Sequence, residues 1–307
     1  MARILVTGAT GFLGASLLKG LKGNYAIMAT KRSSSSLFRL DCLTEKIQWV
    51  CTDERDWKDK AVVFAPEVII HAAWLGVEAR ERDDVLLQAG NIRLLEDLLD
   101  VAHRSGTASF IGFGSQAEYG EFSGVVTEDY PLAPTSEYGR TKVKCAAILR
   151  DFCEACGINW YWLRLFSFFG EGQGENWLIP SAIKHMLSGQ EMALTEGMQK
   201  YAYFYARDLG NIIEKILSTN GLPGIYNISG AESITIRELL ERIRDKVTPS
   251  YALAFGTLPY RNGQAMHMAG SFSRFTGQIG PVALTPFDNA LDHTIDYYKK
   301  RYKSPDP

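Results

Sequence analysis

An apolar run at residues 4–6 passes straight into VTGATGFLG, where Gly8, Gly11 and Gly14 precede a helical pattern. Nothing else in the chain constrains the fold as tightly. Glycine permits a tight turn after a strand and lets the backbone approach a pyrophosphate. The helix that follows presents the positive end of its dipole to the phosphate charge. A glycine triplet alone is a weak signal, but in a strand–turn–helix context it marks a dinucleotide site. The cofactor-binding set therefore includes Gly8, Thr10, Gly11, Phe12, Leu13 and Gly14.

Apolar β-rich runs then alternate with longer helical patterns. RILVTGA, YAIMAT, KIQWVCT, PEVIIHAA, ASFIGFGS and NWYWLRLFS read as strands. GFLGASLLKGLKG and the long amphipathic stretches 83–106 and 136–157 read as helices. Apolar strands alternating with helices predict an α/β fold, a doubly wound parallel Rossmann-type sheet covered on both sides. After residue 167 the pattern loosens into a glycine-rich loop, shorter helices and the short strand GIYNIS. The predicted division is a nucleotide-binding domain over 1–166 and a smaller, mainly substrate-binding lobe over 167–307. Segments such as 203–229 are expected to return to the sheet. Thr235 with Glu238 forms a capping-box pattern, and Thr285 before Pro286 predicts the cap of a last helix. The tail KSPDP is expected to fray.

Composition excludes several classes. With 46% hydrophobic and 22% charged residues among 307, and a net charge of -2, nothing favours nucleic acid or an anionic membrane as partner. No apolar stretch approaches the ~20 residues needed to span a bilayer. The N-terminus enters a strand at once, leaving no room for a signal peptide, so a cytoplasmic protein is expected. The five cysteines (Cys42, Cys51, Cys145, Cys153 and Cys156) are expected to be reduced thiols. Cys153-x-x-Cys156 falls in a helical pattern without a second ligand pair, so both read as packing residues and no metal is expected.

The end of the second strand bears on the cofactor. An acid there would bond the adenosine ribose and favour NAD. The chain instead has Lys31 and Arg32, followed by four serines. Two cations and several hydroxyls suit a 2′-phosphate, hence NADP(H), although a solvated loop would carry the same residues. Asp53, after the third strand, is placed to accept from the adenine amino group or to be a plain surface aspartate. In EYGRTK, Tyr138 and Lys142 stand four positions apart and share a helix face. A cation one turn away favours the ionised phenol, so the pair suits proton transfer.

TGATGFLG at 7–14, GSQAEYG at 114–120 and YGRTK at 138–142 together resemble the extended short-chain dehydrogenase/reductase family, of the NAD-dependent epimerase/dehydratase type. HAAW at 71–74, Asn91, TEDYPLAP at 127–134, LRLFSFFG at 163–170, Asp208 and GIYNISG at 224–230 extend the resemblance over nearly the whole chain. It implies that Tyr138 donates or accepts the proton at the reacting carbon. Lys142 binds the nicotinamide ribose and lowers the tyrosine's pKa, and Ser115 hydrogen-bonds the substrate oxygen. Ala72, Ala73, Asn91 and Phe166 join the cofactor set.

Such enzymes modify nucleotide-diphosphate sugars by dehydration, epimerisation or net reduction. Dehydratases of the family carry an Asp-Glu pair after the catalytic hydroxyl, where this chain has Gln116 and Ala117. The cationic loop and the GSQAEYG style favour NADPH-dependent reduction of the C4 carbonyl of a nucleotide-linked 4-keto-6-deoxyhexose, in surface polysaccharide or glycoside biosynthesis. CDP-abequose synthase and dTDP-sugar 4-reductases are of this style. The alternatives are a 4-epimerase with tightly bound NAD, an enzyme acting on a different carbonyl, and a non-catalytic nucleotide sensor. For substrate, Trp74 and Trp177 are candidate walls, and Gln116, Glu118 and Ser167 candidate sugar contacts. Lys200, Arg207 and Arg261 are candidate cations for the diphosphate. A homodimer through the helices near 84–105 and 137–156 is expected from the resemblance.

Overall fold

A computed structural model describes residues 1–40, 43–219, 221–261 and 263–303. Cys42 and residues 304–307 of the expected frayed tail lie outside them. The chain opens with β1 Arg3–Thr7, α1 Phe12–Gly20, β2 Ala26–Lys31 and β3 Ile47–Cys51. Next come α2 Trp57–Phe64, β4 Val68–His71, α3 Val85–Ser105, β5 Ser109–Ser115 and β6 Gly124–Val126. α4 Glu137–Cys156, β7 Asn159–Leu165, β8 Phe168–Phe169 and α5 Leu178–Ser188 follow. The remainder comprises β9 Lys200–Ala202, β10 Phe204–Tyr205, α6 Leu209–Ser218, β11 Gly224–Ile228, β12 Ser233–Thr235 and α7 Ile236–Val247. It ends with β13 His267–Gly270, α8 Ser273–Gln278 and α9 Phe287–Lys303.

Seven parallel strands form one sheet in the order β11-β7-β5-β4-β1-β2-β3. Strand order reverses between β1 and β4, and a crevice opens beyond their carboxyl ends. Alternate residues of each strand face opposite layers. Ile4 and Val6 pack with Leu17, Ile212 and Phe275 of α1, α6 and α8. Leu5 packs with Ala61, Leu98 and Leu149 of α2, α3 and α4. Both layers are buried, so β1 is apolar on both faces.

The rest of the chain builds a lobe around a separate core of Ile183, Leu240 and Leu291 from α5, α7 and α9. A small sheet, β12-β9-β13-β6, borders it. The sequence did not suggest α2, α8 or this second sheet.

Caps fix the two long helices. Asp84 accepts from Leu87 N at the start of α3, and Ser136 accepts from Gly139 N at the start of α4. Thr235 and Glu238 form the expected box on α7. The last helix departs from expectation. Thr285 does not cap it, because its hydroxyl and N–H both donate to Asp208 at 2.8 Å. The Pro286 carbonyl accepts the first helical bond instead, from Ala290 N. Cys153 is buried on α4, whereas Cys156 is exposed at its end, so only one of that pair is a packing residue.

Gly8 sets the turn after β1. Its φ is +69°, and a Cβ there would stand 2.5 Å from Ala73 N and 2.6 Å from the Ala72 carbonyl carbon. Those atoms are backbone and cannot move aside cheaply. Gly106, at the end of α3, has φ +65° but open space around a Cβ. Gly8→Ala should therefore cost at least about 2 kcal/mol of stability, against roughly 1 kcal/mol for Gly106→Ala. Urea unfolding of both variants checks this, and equal losses would remove the steric role of Gly8.

Candidate active site

The carboxyl ends of β1, β4 and β5 and the first turn of α4 converge on one corner. At its floor the Thr7 hydroxyl lies 2.7 Å from His71 Nδ1, and Ala73 N donates to the same hydroxyl at 3.3 Å. This ties HAA to the strand that feeds the glycine turn. His71 is wholly buried, and burial, with the Lys142 charge nearby, pushes its pKa down to about 3, so the imidazole is neutral.

No side chain caps α1, and Gly11 leaves its N-terminal end open. An uncapped helix start beside a glycine turn fits a dinucleotide pyrophosphate. Gly8 and Gly14 are there for close backbone packing, since a Cβ on Gly14 would meet Gly8 O. The Arg39 guanidinium, which sequence inspection missed, donates to Thr10 O at 3.2 Å and Gly172 O at 2.8 Å. It fastens the glycine turn to the loop after β8. The Phe12 and Phe168 rings stack across the same junction at 5.7 Å.

After β2, Arg32 O accepts from Ser35 N, and Arg32 N donates to the Ser35 hydroxyl. Ser33 donates through N (2.7 Å) and Oγ (2.6 Å) to Asp53. These bonds hold the Asp53 carboxyl below its usual range. Asp53 thus shapes the serine turn through one carboxyl oxygen. Arg32 is exposed, and Lys31 Nζ lies 5.9 Å from the Trp49 ring centre.

Tyr138 and Lys142 are on the buried face of α4, 9% and 4% exposed. Lys142 Nζ donates to Phe113 O at 2.6 Å, on the last turn of β5. It also sits 3.3 Å from the Trp74 ring centre and 5.7 Å from that of Tyr138. Burial pushes its pKa down to about 7. Ser115 hydrogen-bonds the Tyr138 side chain. Burial raises the Tyr138 pKa, partly opposed by that bond and by the Arg82 guanidinium. Arg82, also missed in the sequence, stands 5.2 Å from the phenol ring centre. Its only sequence signal was its place in the connection between HAAW and the long helix. Trp74 lies edge-on to Tyr138 at 6.0 Å, with its indole N–H on Gln88.

Several proposed contacts take other places. Glu118 does not reach a sugar. It is fully buried, accepting from Ser115 N and Trp162 Nε1 at 2.9 Å and from Arg164 Nε at 2.6 Å. A buried carboxyl with these donors is held in the protein. Asn91 spends its amide on the Leu75 N–H and carbonyl and on Gln88, so it acts on a cofactor only through the 72–75 turn. Arg207 pairs with Glu171 at 3.7 Å, and its carbonyl packs on Gly20 at the far end of α1. Its guanidinium is half-exposed beside Glu171, next to the Gly172 that Arg39 ties to the glycine turn. Phe166 is buried against Tyr119, Phe122 and Gly270, leaving only its backbone for a ligand.

Gln116 and Ser167 are half-buried near the strand ends. Trp177 is 44% exposed at the start of α5. Lys200 and Arg261 are exposed on the lobe, where Arg261 faces the Tyr201 phenol and Lys200 N bonds Met266 O. Ala72 and Ala73 line the Gly8 turn.

Residues 4–229 match the model of the NAD dependent epimerase/dehydratase family. A dTDP-glucose 4,6-dehydratase of Streptomyces griseus is 24% identical over 97% of this chain and 94% of its own. The CDP-abequose synthase of Salmonella muenchen is 26% identical over 89% and 90%. Among solved structures, a UDP-N-acetylglucosamine 4-epimerase from Methanobrevibacter ruminantium, in complex with UDP-N-acetylmuramic acid, superposes with a TM-score of 0.87. It is 22% identical and covers 98% of this chain and 99% of its own.

The buried ammonium has a thermodynamic signature. Without added nucleotide, Lys142 releases its proton at about 7 in the folded chain, against 10.5 for an ordinary lysine. Between those values the unfolded chain holds the extra proton, so this site makes unfolding free energy rise with pH across that window. Lys142→Met should flatten the rise. Parallel urea-derived stability curves for the two proteins would show that Lys142 keeps its proton.

Proposed function

The chain belongs to the NAD-dependent epimerase/dehydratase family, and we propose that it reduces the C4 carbonyl of a nucleotide-diphosphate 4-keto-6-deoxyhexose with NADPH. The observation that carries this reading is the convergence of Ser115, Tyr138 and Lys142 in one buried corner beside the open start of α1. Relatives named as acting on nucleotide-linked sugars support that substrate class. Gln116 and Ala117 offer no carboxylates to expel water, which argues against dehydration. The exposed Arg32 and half-buried Lys31 after β2 offer positive charge, which supports a 2′-phosphate and so a diffusible reductant.

A bound reduced nicotinamide supplies the hydride. The Ser115 hydroxyl orients the carbonyl oxygen, and Tyr138 gives it a proton as negative charge develops there. Lys142, held by the Phe113 carbonyl beside the phenol, would hold the nicotinamide ribose. Lys200, Arg207 and Arg261 are the proposed cations for the diphosphate, with Trp74 and Trp177 as walls. The 4-epimerase with retained NAD is the second reading, favoured by the fold shared with an epimerase. A homodimer through α3 and α4 belongs to the same proposal.

Purified protein mixed with NADPH and freshly made nucleotide-linked 4-keto-6-deoxyhexoses should consume the reductant stoichiometrically with one nucleotide series. Tyr138→Phe should lose at least about 100-fold in rate while still binding NADPH. No consumption, with NAD released on denaturation, would establish the epimerase reading instead.

The cofactor preference has its own check. Lys31→Glu with Arg32→Glu should weaken NADPH by at least about tenfold and leave NADH nearly unchanged in fluorescence titrations. Equal weakening of both would refute a 2′-phosphate role.

A further inference from the structure

Tyr138 has two cations within reach, and they differ in how firmly they hold charge. The Lys142 ammonium is buried, bonded to Phe113 O, and pushed down to about 7, so near neutrality it is often uncharged. Arg82 is half-buried, and a guanidinium stays protonated under all these conditions. Its backbone and side chain are both fixed. Tyr138 N donates to Arg82 O at 2.8 Å, and Arg82 Nε donates to Val77 O at 3.1 Å. Asp83 fastens the same segment to α4 by accepting from Glu137 N at 2.9 Å. The connection between β4 and α3 is thus strapped across the first turn of α4, with one permanent cation 5.2 Å from the phenol ring.

We propose that Arg82 is a positioning residue for proton transfer, the standing cation that sets the acidity of Tyr138 and braces its ring. The inference rests on the functional reading of Tyr138 given above. It adds a residue from outside the Ser115, Tyr138 and Lys142 set.

The other charged and polar groups facing the phenol leave this part to Arg82. On α4, Lys142 lies 5.7 Å from the ring and is itself surrounded by Trp74, His71, Cys145 and Glu118. From the turn after β5, the Glu118 carboxylate opposes ionisation, and its charge is shared with Arg164 at 2.6 Å. Ser115 contributes a neutral hydrogen bond. Trp74 presents a ring edge without charge. Burial works against the phenolate throughout, and Arg82 is the full positive charge that opposes it. Asp83 and Glu137 meet each other through a backbone N–H on the outer side of the turn.

The test reads Tyr138 with and without turnover. Ionisation of the phenol is followed by NMR of protein labelled at the tyrosine ring carbon that bears oxygen, with the signal assigned by Tyr138→Phe. Arg82→Gln should raise the Tyr138 pKa by at least about one unit, and Arg82→Lys should restore most of the shift. In the reduction assay, the alkaline limb, where the phenol is lost, should move to higher pH by the same amount. KM for the sugar and affinity for NADPH should change less than about threefold. An unmoved Tyr138 signal in a folded Arg82→Gln protein overturns the proposal. So does a rise in KM with the limb in place, which would make Arg82 a substrate contact. Failure of the reductase reading looks different. No carbonyl substrate would then be turned over by the wild type, while the phenol shift in Arg82→Gln would still be present.

Discussion

The Glu118 carboxylate is the interaction on which the active corner depends. It is fully buried, and its oxygens gather the Ser115 N–H, the Trp162 indole and the Arg164 guanidinium. Through them the end of β5 is fastened to β7, the next strand of the sheet. Burying two charges is expensive, and the pair is tolerable only because the donors and acceptors are met. Arg164 also donates to the Tyr119 hydroxyl, which donates to Asn227 on β11. Asn227 N in turn donates to Glu128, whose other oxygen lies 3.5 Å from Arg274. One hydrogen-bonded chain therefore runs from the serine that meets the phenol to the sheet edge and out to the surface. Such a network fixes a single arrangement because each member leaves a neighbour unpaired if it moves.

Against that rigid base, the reactive groups are held by dipoles and rings more than by counter-charges. Lys142 has a carbonyl and the Trp74 face, Tyr138 has a serine hydroxyl, and His71 has a threonine hydroxyl. Burial disfavours both the ammonium and the phenolate, so Lys142 loses its proton more readily and Tyr138 holds its own more firmly. A phenol that stays protonated is what a proton donor needs. Trp74 serves two neighbours at once, and its own N–H is satisfied by Gln88. Gln88 is buried and bonded to Gly76 O. The indole is consequently a fixed wall.

How much of this the sequence discloses depends on how far apart the interacting residues are. The glycine turn, the Tyr138–Lys142 spacing and the alternation that predicts the parallel sheet are local patterns, read within a few turns of chain. The fate of Glu118 is not local. Its partner Arg164 is 46 positions away, and a carboxylate beside a tyrosine looks the same whether buried or solvated. Thr285 looks like a helix cap until Asp208, 77 positions earlier, takes its hydroxyl. The second sheet draws β6, β9, β12 and β13 from four separated stretches, each too short to carry a period-2 signal of its own. α2 was hidden because WKDKAVVF is short and has only Trp57 and Ala61 buried.

On the proposed reading, proton transfer at this corner would serve reduction and epimerisation alike, so the difference between them would lie in whether the cofactor leaves after each turnover. Two parts of the fold bear on that in opposite directions. Arg39 bridges the glycine turn to the 170–172 loop, and the Tyr298 hydroxyl of α9 donates to Gln173 O beside it. On the proposed reading, these bonds brace the glycine turn that would hold the pyrophosphate and so would slow release. At the end of β2, where the proposed reading puts the adenosine, the serine turn with Arg32 and Asp53 is exposed and braced by short polar bonds. Charged contacts made there are open to water and weakened by salt. A cofactor gripped at its centre and bound through a solvated 2′-phosphate exchanges more readily than one enclosed at both ends. On the proposed reading, this asymmetry is what a consumed reductant requires.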